Sequence, residues 1–311
     1  MLTLLFAVLA MAGTPDSEDP WLTETIQQWT DSGTELPIPE DLASWVSMSD
    51  RFAIELWFRD MAAHHATDAF LASDVGSTLD STVHGYITGE AGPGGSVPVH
   101  WVMDGPDGPV IGWTVTMQND SVVGWPTAEQ PSPALQPALT PLPAAARARW
   151  DCRQDLARRI NSGDAVVDAP VNIAVVPMSV GGVPGGAAFI LPAKTVTGEQ
   201  ITGGSSILWC MGGEPVFQQV SELTLRNPEP DPNLASMYMS NPRIAFPVAS
   251  YGFQAIMNQM PIFVKDELSR LWVYEHDKGS VHFLGVRPEV AEPEPQPEET
   301  RRTRRQRRRD R

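Results

Sequence analysis

The stretch VPVHWVMDGPDGPVIGWTVTM, residues Val97–Met117, changes the spacing of apolar side chains from about four to two. Val99, Trp101 and Met103 fall on one face, as do Ile111, Trp113, Val115 and Met117. Between them Asp104-Gly105-Pro106-Asp107-Gly108 is a strong turn signal, so the stretch predicts a β-hairpin. Trp101 and Trp113 then belong to a core and not to an exposed sugar-stacking platform. His100 lies on the opposite face beside Thr114 and Thr116, which reads as a polar, exposed sheet surface.

Upstream of the hairpin the pattern is helical. Asp19 can cap a helix that has Pro20 at its first position, with Leu22, Ile26 and Trp29 as one stripe and Gly33 as the stop. Leu42, Trp45 and Val46 suggest a short second helix. A third is expected from Arg51 to about Ala66, capped by Ser49 or Asp50, and a weaker fourth carries Leu71, Val75, Leu79, Val83 and Ile87. Downstream, six prolines between Pro126 and Pro143 read as a linker or crossing loop. A helix over about Ala144–Asn161 follows, with Arg147, Arg149, Arg153, Arg158 and Arg159 on its wetter sides.

Beyond that helix the chain reads as mainly β. Strands are expected at 171–176, 187–191, 206–211, 216–225, 244–248, 262–264, 271–274 and 281–284, with Asn227–Pro242 as a loop. The fold class is therefore α+β: a mainly helical N-terminal lobe with a β-hairpin, then a helix packed on a mainly antiparallel β C-terminal lobe. The expected divisions are a signal peptide over 1–12, lobes over 13–130 and 144–287 joined by a Pro-rich linker over 131–143, and a disordered spacer and tail over 288–311.

Two cysteines occur, Cys152 and Cys210. Cys152, Leu156 and Ile160 recur every four residues on the predicted helix, and Cys210 shares a strand face with Leu208. A helix on that sheet would bring the two sulfurs together, and the pair is expected as a disulfide worth about 4 kcal/mol. Residues Leu2–Ala12 are apolar except for Thr3 and end in Ala10-Met11-Ala12, the small-residue spacing that signal peptidases read. Export to the periplasm or the medium is the expectation. No span of about 20 apolar residues follows, so no transmembrane segment is expected.

Pieces of the second half, VNIAVVP (171–177), FILPAKT (189–195), ITGG (201–204) and PIFVKDELSRLWVYE (261–275), carry a further likeness. Through them Asn172–Trp272 resembles the C-terminal half of a group of secreted proteins from alphaproteobacteria. The resemblance implies export and a β-rich second half, and it implies no particular chemistry.

Candidate chemistry is sparse. Asp60, His64 and Asp68 are spaced to stack along one helix face, as metal ligands on a helix do, and would suit a metal-dependent hydrolase. The chain lacks a His-Glu-x-x-His pattern and a compelling third ligand elsewhere, and a hydrated helix end explains the same residues. Gly181–Gly186 lacks the Gly-Lys-Ser/Thr ending of a phosphate cradle and reads as a hairpin loop. No Gly-x-Ser-x-Gly elbow or cofactor motif is found, so no cofactor is expected.

Charge is the sharper signal. The formal net charge of −16 divides unevenly: the first 287 residues hold 32 acidic and 14 basic side chains, a net of −18. Residues 288–300 add five glutamates among prolines, an extended spacer. The last eleven residues carry +7, from Arg301, Arg302, Arg304, Arg305, Arg307, Arg308, Arg309 and Arg311 against one aspartate. A body so acidic repels polyanions, whereas eight guanidiniums on a flexible chain attract them. The expected partners of an exported chain are an anionic cell-surface polymer or lipid headgroups. Nucleic acid enters only if the N-terminus is not a signal.

Overall fold

A computed structural model describes residues 19–73, 83–118, 121–123, 137–195, 199–211, 213–227 and 236–288. The class is α+β, with its helices placed against several mainly antiparallel sheets. The expected signal peptide and the Arg-rich tail lie outside the described residues.

Helix α1 (Pro20–Ser32) begins and ends where its caps require. The Asp19 carboxylate accepts from the Leu22 N–H, and Gly33 takes the left-handed conformation at φ 63°. Leu22 and Ile26 are its buried residues.

Helix α2 (Ala43–Leu71) runs unbroken for 29 residues, which corrects the expectation of two separate helices here. No Gly or Pro interrupts the chain between Val46 and Arg51, so nothing stops the helix. Ser49 is buried, and Asp50 points away from its own backbone to accept the Val281 N–H at 2.8 Å. The expected fourth helix is also corrected: Val83–Thr88 is strand β1, while Val75 and Leu79 lie outside the described residues. β-Branched Val83 and Ile87 suit a strand, and the neighbouring hairpin offers an edge to pair with.

That hairpin forms, from β2 (Val97–Gly105) and β3 (Gly108–Gln118), but Ile111 leaves the face it was expected to share with Trp113, Val115 and Met117. Trp101 sits opposite Trp113, and a bulge at Gly112 then shifts the register so that Val102 meets Ile111. The sheet orders as β1-β2-β3-β4, where β4 is Ser121–Val122, and β5 (Thr140–Pro141) also pairs with β3. The end of the Pro-rich segment is thus a short edge strand. On one face Val97, Val99, Trp101, Val115 and Met117 meet Ala62, Ala66 and Phe70 of α2, with Phe70 stacked on Trp101 at 4.3 Å. On the other, Ile87 and Val102 meet Trp150 of helix α3 (Ala144–Ser162).

The second sheet orders as β10-β9-β7-β6, from β6 (Val171–Val180), β7 (Val183–Pro192), β9 (Ser206–Cys210) and β10 (Val216–Gln219). Gly181-Gly182 forms the tight β6–β7 turn, with both residues at positive φ. Alternate residues serve opposite faces. Val175, Ala188, Ile190 and Leu208 pack under Cys152 and Leu156 of α3, and Ala174, Val176, Phe189 and Ile207 face Phe52 and Leu56 of α2. Cys152 and Cys210 form the expected disulfide, with Cα atoms 5.8 Å apart.

In the third sheet the order is β12-β13-β14-β15, from Met237–Ser240, Ile262–Lys265, Arg270–Tyr274 and Val281–Val286. β12 runs parallel to β13; the other pairs are antiparallel. Phe263, Leu271 and Val273 face α1, and Ile262, Val264, Trp272 and Tyr274 face the α2 core. β12 falls inside the expected loop.

Ile244–Val248, expected as a strand, is irregular, and helix α4 (Ala249–Asn258) follows it. The irregular segment satisfies its backbone elsewhere: the Tyr274 hydroxyl accepts the Val248 N–H, and Arg270 donates to the Ala245 carbonyl. The expected strand 216–225 is two strands, β10 and β11 (Thr224–Asn227), and β11 pairs with β8 (Gln200–Gly203). Helix α4 supplies the other edge of β8 with side chains. The Gln254 amide donates to and accepts from Gly203, and the Asn258 amide does the same for Ile201, at 2.7–3.0 Å. One turn of helix thus stands where a further strand would pair.

α2 and α4 cross closely. A Cβ at Gly252 would lie 2.6 Å from the Ala53 Cβ and 2.7 Å from the Gly279 carbonyl oxygen, the latter immobile backbone. Gly252→Ala gains about 1 kcal/mol of helix propensity but overpacks this crossing by about 1–3 kcal/mol or more. Net destabilisation is expected in urea denaturation; a raised midpoint would contradict the crossing. Gln254→Leu leaves both peptide groups of Gly203 without partners, and a loss of about 2–4 kcal/mol is expected in the same measurement.

Candidate functional site

Two helical stripes of charged residues approach one another along β1, the edge strand of the first sheet. On α2 the stripe is Arg51, Glu55 and Arg59, four residues apart. On α3 it is Arg149 and Arg153, again four apart. The sequence reading put these α3 arginines on wet sides, and the structure corrects this: the Arg149 side chain is 3% exposed, and Arg153 is largely covered. Both fall on the same stripe as Cys152 and Leu156, a signal present in the spacing that arginine's usual preference for solvent outweighed.

Each buried guanidinium has specific partners. Arg59 donates to Glu55 at 3.0 Å, to the Thr88 hydroxyl at 3.0 Å and to the Gly89 carbonyl at 2.8 Å. Arg149 pairs with Glu90, just beyond β1. Arg153 lies over the rings of Tyr86 and Trp150, 5.7 and 5.6 Å from their centroids. Gly85, at φ 140°, leaves the space: a Cβ there would be 3.1 Å from the Arg153 guanidinium. Burial lowers the Arg149 pKa, the Glu90 carboxylate raises it, and the Arg59 guanidinium lowers it again. Burial likewise lowers that of Arg153. Such groups keep their charge and form fixed forks for planar anions.

Asp60 belongs to this neighbourhood. It lines a small cavity with Arg59, Tyr86 and Arg153, and the Asn172 amide donates to its Oδ1 at 3.1 Å. Desolvation raises its pKa, while the Asn172 hydrogen bond and His64 act to lower it. His64 and Asp68 instead form an exposed pair at 3.6 Å. Among the described residues no three His, Cys, Asp or Glu side chains gather as a ligand set. Asp60 is tied into a buried network, whereas His64, near enough to act on its carboxylate, and Asp68 are exposed. The eight tail arginines lie outside the described residues.

His100 is not the exposed residue that alternation alone suggested. It is on the expected face, opposite Trp101, but α3 covers that face and leaves it only partly accessible. Its Nδ1 is 2.8 Å from the Thr114 hydroxyl. Burial, with a contribution from Arg149, lowers its pKa from 6.5 to about 4.

No protein-family model, curated protein or solved structure matches the chain. Among the described residues no helix is long and apolar enough to cross a membrane.

Folding holds His100 neutral, so between its unfolded and folded pKa values the unfolded chain binds more protons. Its contribution to stability is complete above pH 6.5 and is lost as the pH falls towards 4, at about 1.4 kcal/mol per unit and about 3 kcal/mol in all. The stability difference between wild type and His100→Gln, from denaturant titrations at pH 7 and pH 4.5, should therefore move in favour of the variant at the lower pH. A constant difference would show that His100 does not titrate differently on folding.

Proposed function

We propose that this chain is an exported, non-enzymatic binding protein whose Arg-rich tail attaches it to an anionic cell surface. The observation that carries the reading is where the positive charge is engaged. Among the described residues, nine of eleven arginines stand in ion pairs with carboxylates of the same body. The other two, Arg51 and Arg153, lie over aromatic rings. The body thus pairs most of its described arginines with its own carboxylates and keeps a formal net of −18, while eight arginines are concentrated in the last eleven residues.

Export is supported by the apolar run ending Ala10-Met11-Ala12, by the resemblance to secreted proteins, and by the Cys152–Cys210 disulfide, a bond that persists in oxidising compartments. In the periplasm or outside the cell, the matching polyanions are phosphate-bearing lipid headgroups and lipopolysaccharide. The stretch 288–300 between body and tail is rich in proline and carries five glutamates, a composition that favours a spacer with the same sign of charge as the body.

Full-length protein and a chain ending at Thr300 can be compared by co-sedimentation with vesicles of anionic phospholipid at about 50 and 200 mM salt. Binding of the full chain that falls steeply with salt, and is lost in the shortened chain with folding unchanged, is the expected result. Equal binding by both chains would reject the tail as the contact. Tighter binding to duplex DNA than to vesicles at matched charge would favour a nucleic-acid role instead.

A further inference from the structure

Arg51, one of the two described arginines outside the ion pairs, lines a cleft of about 360 Å³. Its guanidinium is exposed, 5.9 Å from the Phe52 ring centroid. Arg149, Glu90, Met178, Ser179 and Pro184 line the same cleft. The volume suits a small molecule.

The Arg149–Glu90 pair is lopsided in a way that internal ion pairs usually are not. The guanidinium is 3% exposed and its partner carboxylate 66% exposed, so desolvation falls on one member only. The Arg149 Nε is buried without an acceptor among the described residues, so this fork is only partly used. Glu90 stands in Gly89–Gly95, whose four glycines include Gly94 and Gly95 at positive φ, a backbone with the freedom to move a side chain aside. Glu90 therefore offers Arg149 one carboxylate that another could replace.

We propose that this cleft binds a small organic monocarboxylate. Its carboxylate takes the guanidiniums of Arg51 and Arg149 in place of Glu90, and its apolar part lies against Met178 and Pro184. Charge selects this class. Arg51 and Arg149 against Glu90 leave a formal +1, which one carboxylate neutralises. A phosphate near −2 would add repulsion from Glu90 and the acidic body, and a planar carboxylate matches the guanidinium fork.

The test is a titration of ¹⁵N-labelled full-length protein with sodium butyrate, with inorganic phosphate as a parallel arm at equal ionic strength. Saturable shifts are expected at the Ser179 and Gly185 amides and the Arg149 Nε–H with butyrate, and none there with phosphate. Arg51→Ala should weaken butyrate binding by about tenfold through loss of one charged hydrogen-bonding partner. Glu90→Gln should strengthen it severalfold by removing the internal competitor. Arg51→Ala changes an exposed side chain, and Glu90→Gln keeps an amide oxygen that can accept from the buried Arg149, so the folded spectrum should persist. The tail arginines also attract carboxylates, but their signals are separate from those of the cleft, so the two sites are read independently. Absence of saturable cleft shifts in both wild type and Glu90→Gln would overturn the proposal. So would tighter cleft binding of phosphate than of butyrate, or affinity unchanged by both substitutions.

Discussion

The close crossing of α2 and α4 at Ala53, Gly252 and Gly279 is the constraint on which the remaining packing depends. With only a methyl group and two glycines at the contact, the backbones approach closer than larger side chains allow. This draws α2 into the interior, where its first half shares one core with the second and third sheets. Its second half continues under the first sheet through Ala62, Ala66 and Phe70. Because α2 does not break, the hairpin sheet and the β-rich region share one rigid support. The three larger sheets are then each packed on two faces, which is why strands such as β7, β13 and β14 read as nearly continuous apolar runs.

Burial on both faces has an electrostatic consequence. The layer between α2, α3 and the first sheet contains arginines, and a buried charge must be paired and hydrogen-bonded to persist. Arg59 meets this with three acceptors, whereas Arg153 lies between two aromatic faces and its buried Nε has no acceptor among the described residues. The third sheet solves the same problem at Asp266, whose fully buried carboxylate accepts from the Arg270 side chain, the Trp272 indole and two backbone N–H groups. In a chain with so few cations in its body, using them inside sharpens the division between an acidic exterior and a cationic tail.

Locally encoded features were legible. The caps of α1 reside in neighbouring residues, Asp19-Pro20 and Gly33, and the β2–β3 hairpin in a turn of five. The disulfide followed from two short periodicities, one helical and one extended. Features that satisfy their backbone non-locally were not legible. α4 is ten residues long, and its polar stripe, Ser250, Gln254 and Asn258, is buried instead of facing water, so it does not read as an amphipathic surface helix, and a helix so short is marginal alone. β8 has its second edge completed by glutamine and asparagine side chains, and β12 pairs in parallel with a strand more than twenty residues away. The candidate site was the least legible part, because an arginine stripe on a helix reads as a wet face until its neighbours are known.

By itself the sequence determined the α+β class, the capped first helix, the central hairpin, the cysteine pair and the division of charge between body and tail. Each is settled by residues near in the chain or by simple summation. Only the tertiary structure decided that α2 is one helix, that α3 covers the face bearing His100, and that Arg149 is buried beside an exposed Glu90. Those outcomes depend on desolvation and close packing between segments about 60 to 200 residues apart, which no local pattern reports.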